Sequence, residues 1–187
     1  MFLALAALLA LPRPGAGAPS EPALELIALD ISDSVRAGRP GWLSQLRQAA
    51  LDACEAAAAR GSEVQLVAFG ATARTLAEPQ DAAELARRLD GANGAPLALA
   101  PASLSPMDSR LDLALALGRE ALLDPARFPG RAVLIGDGRA NDGAATTLAE
   151  WRAAGVAVHG RDLGRGAAVE LALTRVSAPR RIDAGRP

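Results

Sequence analysis

The chain has 187 residues with 20 basic and 21 acidic side chains, one Cys and one His. One compact domain is the default at this length, large enough to bury about two-thirds of its unfolded surface without a staple. A net charge of -1 lacks the basic excess of a nucleic-acid or anionic-membrane binder. A single Cys54 excludes an intrachain disulfide, and a single His159 argues against a multi-histidine metal centre. Every basic residue is Arg, and about a quarter of the chain is Ala, a composition that points to a GC-rich genome. Aromatics at 3% leave little for stacking sugars or unpaired bases.

Phe2 to Leu11 is an apolar run ending at Pro12-Arg13-Pro14-Gly15. It is too short to cross a bilayer, which needs about 20 residues. Ala16-Gly17-Ala18 resembles a signal cleavage site, although no basic residue precedes the run and Pro19 follows the cut. A secretory signal and the tail of a truncated membrane anchor are equally open readings, and a buried segment is a third. Residues 1–22 are therefore expected to be an N-terminal appendage plus a Pro/Gly/Ala/Ser linker.

Apolar runs of strand length and helical periodicities then alternate. Leu24 to Leu29 reads as a strand stopping at Asp30, and Pro40 to Arg60 as a helix with Gly61 at its C-terminus. Val64 to Phe69 is a second strand, followed by a turn at Gly70 and a short run from Thr72 to Leu76. Helices are expected at Asp81 to Leu89, Ser109 to Leu123 and Ala144 to Ala154, and strands at Ala132 to Ile135 and Val156 to His159. Continuous apolar strands alternating with helices predict an α/β fold: a Rossmann-like, doubly wound, mostly parallel sheet flanked by helices. The domain should span 23–166. Residues 167–187, with alternation from Val169 to Val176, read as an extended segment that could open a following β-rich domain.

Ligands of open parallel sheets bind at the carboxyl ends of strands. The first strand ends in Asp30-Ile31-Ser32-Asp33-Ser34, the later one in Gly136-Asp137-Gly138, and Asp108-Ser109 opens a helix between them. These are hard oxygen donors, the chemistry of Mg²⁺ or Mn²⁺. Side chains two apart in an extended or turning segment share a side, so Asp30, Ser32 and Ser34 can address one ion. Two carboxylates with neutral hydroxyls do not overload the ion with negative charge, and its open position suits capture of a partner's carboxylate better than water activation.

Asp30-x-Ser32-x-Ser34 resembles the metal-ion-dependent adhesion site of von Willebrand factor A (vWA) domains. Asp137-Gly138 is similar to that family's second acidic element, commonly Thr-Asp-Gly. Asp108-Ser109-Arg110-Leu111 resembles its Asp/Gly-Thr-Asn-Leu. The resemblance spans Leu24 to Gly164 and includes the order of the three elements. It implies metal ligation by the hydroxyls of Ser32, Ser34 and Ser109, with Asp30 and Asp137 acting directly or through water. Asp33, Asp108 and Gly138 fall in the surrounding shell. The chain departs from the pattern at Ser109 for Thr, Asp33 for Gly, and Gly136 before the second Asp.

The resemblance implies a non-enzymatic protein-binding module of the bacterial cell envelope, exported or membrane-associated through its N-terminal segment. Its protein partner would supply an Asp or Glu. Should residues 1–22 be neither signal nor anchor, the cytoplasm is the expected place. A metal-dependent hydrolase or phosphoryl-transfer enzyme using Asp30 and Asp137, and a scaffold that binds no metal, are the alternatives. A simple capping role for Ser32 and Asp33 would leave Ser109 and Asp137 unexplained. His159 is expected to be a satisfied core or edge residue, Cys54 packing, and Arg161, Arg165, Arg180 and Arg181 solvated.

Overall fold

A computed structural model describes residues 21–37, 40–92, 94–127, 129–138, 142–163 and 170–171. Six strands form one sheet in the order β3-β2-β1-β4-β5-β6: β1 (Leu24–Asp30), β2 (Glu63–Phe69), β3 (Ala73–Asp81), β4 (Arg131–Gly136), β5 (Ala157–Asp162) and β6 (Glu170–Leu171). The inner four strands run parallel, while β3 and β6 pair antiparallel at the two edges. The helices are α1 (Asp33–Arg36), α2 (Trp42–Ala59), α3 (Ala82–Asp90), α4 (Leu111–Leu122) and α5 (Asp142–Ala153). The doubly wound, mostly parallel architecture expected from the sequence is present.

All seven residues of β1 are buried, as a central parallel strand covered on both faces requires. Its side chains alternate between two cores. Ile27 and Leu29 pack with Leu46, Ala50 and Cys54 of α2 and Leu85 and Leu89 of α3. Leu24, Leu26 and Ala28 pack with Leu111 and Leu115 of α4 and Leu148 and Trp151 of α5. The chain steps from β1 to β2 on one side and later enters β4 on the other, so the sheet's switch point lies between β1 and β4.

Two local features fix the helices that approach this point. The end of α2 is closed by the N–H groups of Gly61 and Ser62, which donate to the carbonyls of Ala58 and Ala57 at 3.0 and 3.1 Å. Across the sheet, α4 lies so close to β1 that a Cβ on Gly118 would stand 2.6 Å from Leu26 Cδ2. A side chain there would have to displace Leu26, so Gly118 lets α4 lie this close over β1.

Several boundaries differ from expectation. The strand after Gly70 runs on to Asp81, because antiparallel pairing with β2 from Phe69↔Ala73 to Glu63↔Asp81 carries it past the apolar run. The helix expected from Ser109 begins at Leu111, since Arg110 N–H donates to Gly70 O at 2.8 Å and holds 109–110 outside it. The last inner strand extends to Asp162 through its pairing with β4, which runs to Gly136↔Asp162. Arg161 is therefore not in a solvated loop: it stands on β5, and its Nη2 donates to Asp52 Oδ2 of α2 at 2.7 Å. The alternation expected over 169–176 is represented by Glu170–Leu171, and the rest of it lies outside the described residues, as do 1–20, Arg165, Arg180 and Arg181.

Cys54 is buried as expected, and burial, followed by the negative charge of Glu25, pushes its thiol up to about 12. His159 is half-buried, with Nε2 2.7 Å from Arg131 Nη1. Among the described residues no helix is long and apolar enough to cross a membrane.

Candidate metal centre

Asp30 is the last residue of β1, at the switch point, and only 2% exposed. Burial of a carboxylate is unfavourable unless hydrogen bonds or a cation compensate. Its Oδ1 accepts from the backbone N–H of Ser32 at 2.9 Å, and its Oδ2 accepts from the Ser109 hydroxyl at 3.1 Å. Both donors are neutral. Burial raises the Asp30 pKa above its ordinary value; the Ser32 and Ser109 hydrogen bonds pull it back, and the nearby Asp137 charge pushes it up again.

After Asp30 the chain is extended at Ser32 (φ -63°, ψ 161°) and then enters the one-turn α1. Ser32 occupies the position before that helix, but its hydroxyl makes no capping bond. It lies instead 3.0 Å from the Ser34 hydroxyl. Simple capping therefore does not account for Ser32. The proximity of Ser32 and Ser34 comes from the helical turn, not from an extended alternation alone.

Two loops close on this segment. Asp33 N–H donates to Pro106 O at 2.7 Å, and Ala71 N–H donates to Ser105 O at 2.8 Å. These bonds lock the loop before α4 against both the post-β1 and post-β2 turns, and so deliver Ser109 to Asp30. On the other side, Asp137 follows β4 and is half-buried. A Cβ on Gly136 would stand 2.6 Å from Asp30 Cβ and 3.1 Å from its Oδ2. The departure at Gly136 is thus what lets β4 run flush against the Asp30 side chain.

The surrounding residues divide. Asp33 is exposed and 4.0 Å from Arg36, turned to solvent. Asp108 is exposed and accepts from Ser109 N–H at 2.8 Å, which orients the Ser109 backbone. Gly138 is exposed, and nothing lies within 4 Å of where its Cβ would stand. Asp162 was not anticipated: it ends β5 in register with Gly136, placing a further carboxylate-bearing residue along the same sheet edge. The sequence signal was weak because the apolar run stops at His159.

The structure thus gathers Asp30, Ser32, Ser34 and Ser109 into one hydrogen-bonded group with Asp137 beside it. All are oxygen donors of the hard type that Mg²⁺ and Mn²⁺ take.

No family model matches the sequence, and no curated protein matches it. Solved structures do match. An aerotolerance-related membrane protein from Bacteroides fragilis is similar over 78% of this chain and 75% of its own, at 17% identity and a TM-score of 0.57. The conserved hypothetical protein BatB from Bacteroides thetaiotaomicron is similar over 75% of this chain and 66% of its own, at 18% identity and a TM-score of 0.59. Proximal thread matrix protein 1 from the mussel byssus, solved with a zinc-occupied MIDAS motif, covers 78% of this chain at 16% identity and a TM-score of 0.56. This chain spans only 39% of that protein. At these identities the likeness shows the fold alone: a vWA-like, doubly wound α/β architecture, with which the strand order agrees.

Proposed function

We propose that this domain is a divalent-metal-dependent protein-binding module, with Mg²⁺ or Mn²⁺ held at the strand ends and completed by a partner's carboxylate. One observation carries the reading. Asp30 is buried at the sheet's switch point, hydrogen-bonded by neutral donors, and Asp137 adds negative charge beside it. A buried carboxylate met by a backbone N–H and a serine hydroxyl, with further hydroxyl and carboxylate oxygens beside it, is a hard-oxygen set that a small cation suits. Ser32, Ser34 and Ser109 would ligate through their hydroxyls, and Asp30 and Asp137 directly or through water. The bound ion would act as an electrophile for an acidic side chain. Asp33, Asp108 and Gly138 contribute to the rim without holding the ion.

Both Asp30 oxygens are already engaged by Ser32 and Ser109, which suits a positioned ligand better than a free nucleophile. This favours binding over hydrolysis or phosphoryl transfer. The mussel protein with zinc in its MIDAS motif supports divalent-metal binding as the chemistry of the fold, and the all-oxygen donor set here favours the harder ions. The Bacteroides aerotolerance-related neighbour, a membrane protein, supports a place in the cell envelope. In that reading residues 1–22 are leader or anchor, 23–166 the binding domain, and 167–187 the lead into a further segment.

Calorimetric titration of the chain with Mn²⁺ tests the proposal. The expected result is one ion per chain, with the signal lost in Asp30→Ala. No binding by the wild type, or binding undiminished in Asp30→Ala, overturns it.

A further inference from the structure

Ser109 stands outside any helix or strand, so the position of its hydroxyl depends on what holds segment 105–110. Both ends of that segment are tied to one turn. Ala71 N–H donates to Ser105 O, and Arg110 N–H donates to Gly70 O, each at 2.8 Å. Gly70 N–H closes the turn on itself by donating to Thr72 O at 2.8 Å. Two adjacent residues after β2 therefore bracket Ser109, whose hydroxyl meets Asp30 Oδ2 at 3.1 Å.

Gly70 is buried within this bracket. A Cβ there would overlap Ser105 O and stand 3.3 Å from Pro106 Cα. Both are backbone atoms, so turning a side chain cannot relieve the overlap, as it could at Gly118, where the neighbour is the tip of Leu26. The φ of Gly70 lies outside the left-handed region, so its own conformation does not call for glycine. The close passage of 105–106 does.

Resting on the metal-dependent binding reading above, we infer that Gly70 is a positioning residue for the metal centre, acting through Ser109. With no side chain to offer an ion, it acts by geometry: it lets 105–110 lie close enough for the Ser109 hydroxyl to reach Asp30. A methyl group at 70 pushes 105–106 outward, loosens the Arg110 bond to Gly70 O and draws Ser109 away.

The test is calorimetric titration with Mn²⁺ of the full chain as wild type, Gly70→Ala, Ser109→Ala and the double variant. Loss of a group that orients a ligand weakens metal binding about 10–100-fold, so Gly70→Ala should bind at least about tenfold more weakly, as should Ser109→Ala. Because one residue acts through the other, the losses should not multiply: the double variant should fall within about twofold of Ser109→Ala. Arg60→Ala, at the far end of β1, separates positioning from stability, with a lower Tm and unchanged Mn²⁺ affinity. In EDTA, the Arg110 amide should exchange its hydrogen at least about tenfold faster in Gly70→Ala than in the wild type. Should Gly70→Ala not fold, Ala71→Pro, which removes the N–H that holds Ser105, replaces it under the same expectations. Undiminished affinity in Gly70→Ala, multiplied losses in the double variant, an equal loss in Arg60→Ala, or unchanged exchange at Arg110 each overturns the inference. No Mn²⁺ binding by the wild type defeats the metal reading first and takes this inference with it.

Discussion

Strand β1 carries two buried carboxylates, Glu25 near its start and Asp30 at its end, each 2% exposed. The protein treats them oppositely. Glu25 is gripped by Arg60 through two bonds of 2.7 Å, with Arg131 Nε 3.9 Å away. Asp30 receives a backbone N–H and a serine hydroxyl, with another carboxylate-bearing residue nearby. One end of the strand is electrostatically finished and serves stability. Among the described residues the other is met by neutral donors, at the place where parallel sheets bind ligands. Burial alone therefore does not distinguish the two carboxylates; the character of their described partners does.

The largest effect should come from breaking the finished end. Arg60→Ala strands Glu25 in the interior, and removing one partner of a buried pair costs about 3 kcal/mol, the low end because the Arg60 side chain is 38% exposed. Thermal unfolding should show a drop of roughly 6–12 °C. A loss of a degree or less would mean that water already reaches Glu25.

Next is Gly136→Ala, which forces a methyl to within 2.6 Å of Asp30 Cβ. Overpacking of this kind costs about 2 kcal/mol. It should also displace Asp30 and abolish any Mn²⁺ response. An alanine variant of normal stability that still binds Mn²⁺ would show that β4 does not set the site's geometry.

The subtlest contrast lies in sign and pH. With EDTA present, the folded state holds the Asp30 proton more tightly than the unfolded state, because burial keeps its pKa above 3.8. Its contribution to stability is full below 3.8 and is lost as pH rises through the raised folded value. Asp30→Asn removes that dependence, so its Tm in EDTA should match or exceed the wild type near neutrality and vary less with pH. Conversely, the Tm gain from Mn²⁺ in the wild type should shrink as pH falls through the same range, since the proton competes with the ion. Parallel pH curves for wild type and Asp30→Asn would contradict this account.

How much of this was legible in sequence depends on the range of the interaction. Asp30, Ser32, Ser34, Ser109 and Asp137 could be singled out because strand ends and short motifs are local signals. The pairing of Ser109 with Asp30 required the locking bonds from Asp33 to Pro106 and from Ala71 to Ser105, which no periodicity encodes. Gly136 looked like a departure from a pattern, and its reason is a contact with a strand distant in sequence. Arg161 and Asp162 were misplaced beyond the last strand because β5 continues past its apolar run, held by pairing with β4. The Glu25–Arg60 pair went unnoticed, since a charged residue in an apolar run gives no sign of its partner 35 positions away.

The most direct test of the central claim is the unfolding midpoint of the chain in EDTA and in saturating Mg²⁺ or Mn²⁺, with Ser32→Ala and Asp137→Ala alongside. An ion at ten times its dissociation constant adds about 1.4 kcal/mol, or roughly 3–6 °C for a domain of this size. The account predicts that rise in the wild type and its loss in both variants. An unchanged midpoint with either ion, or an equal rise in the variants, would contradict it.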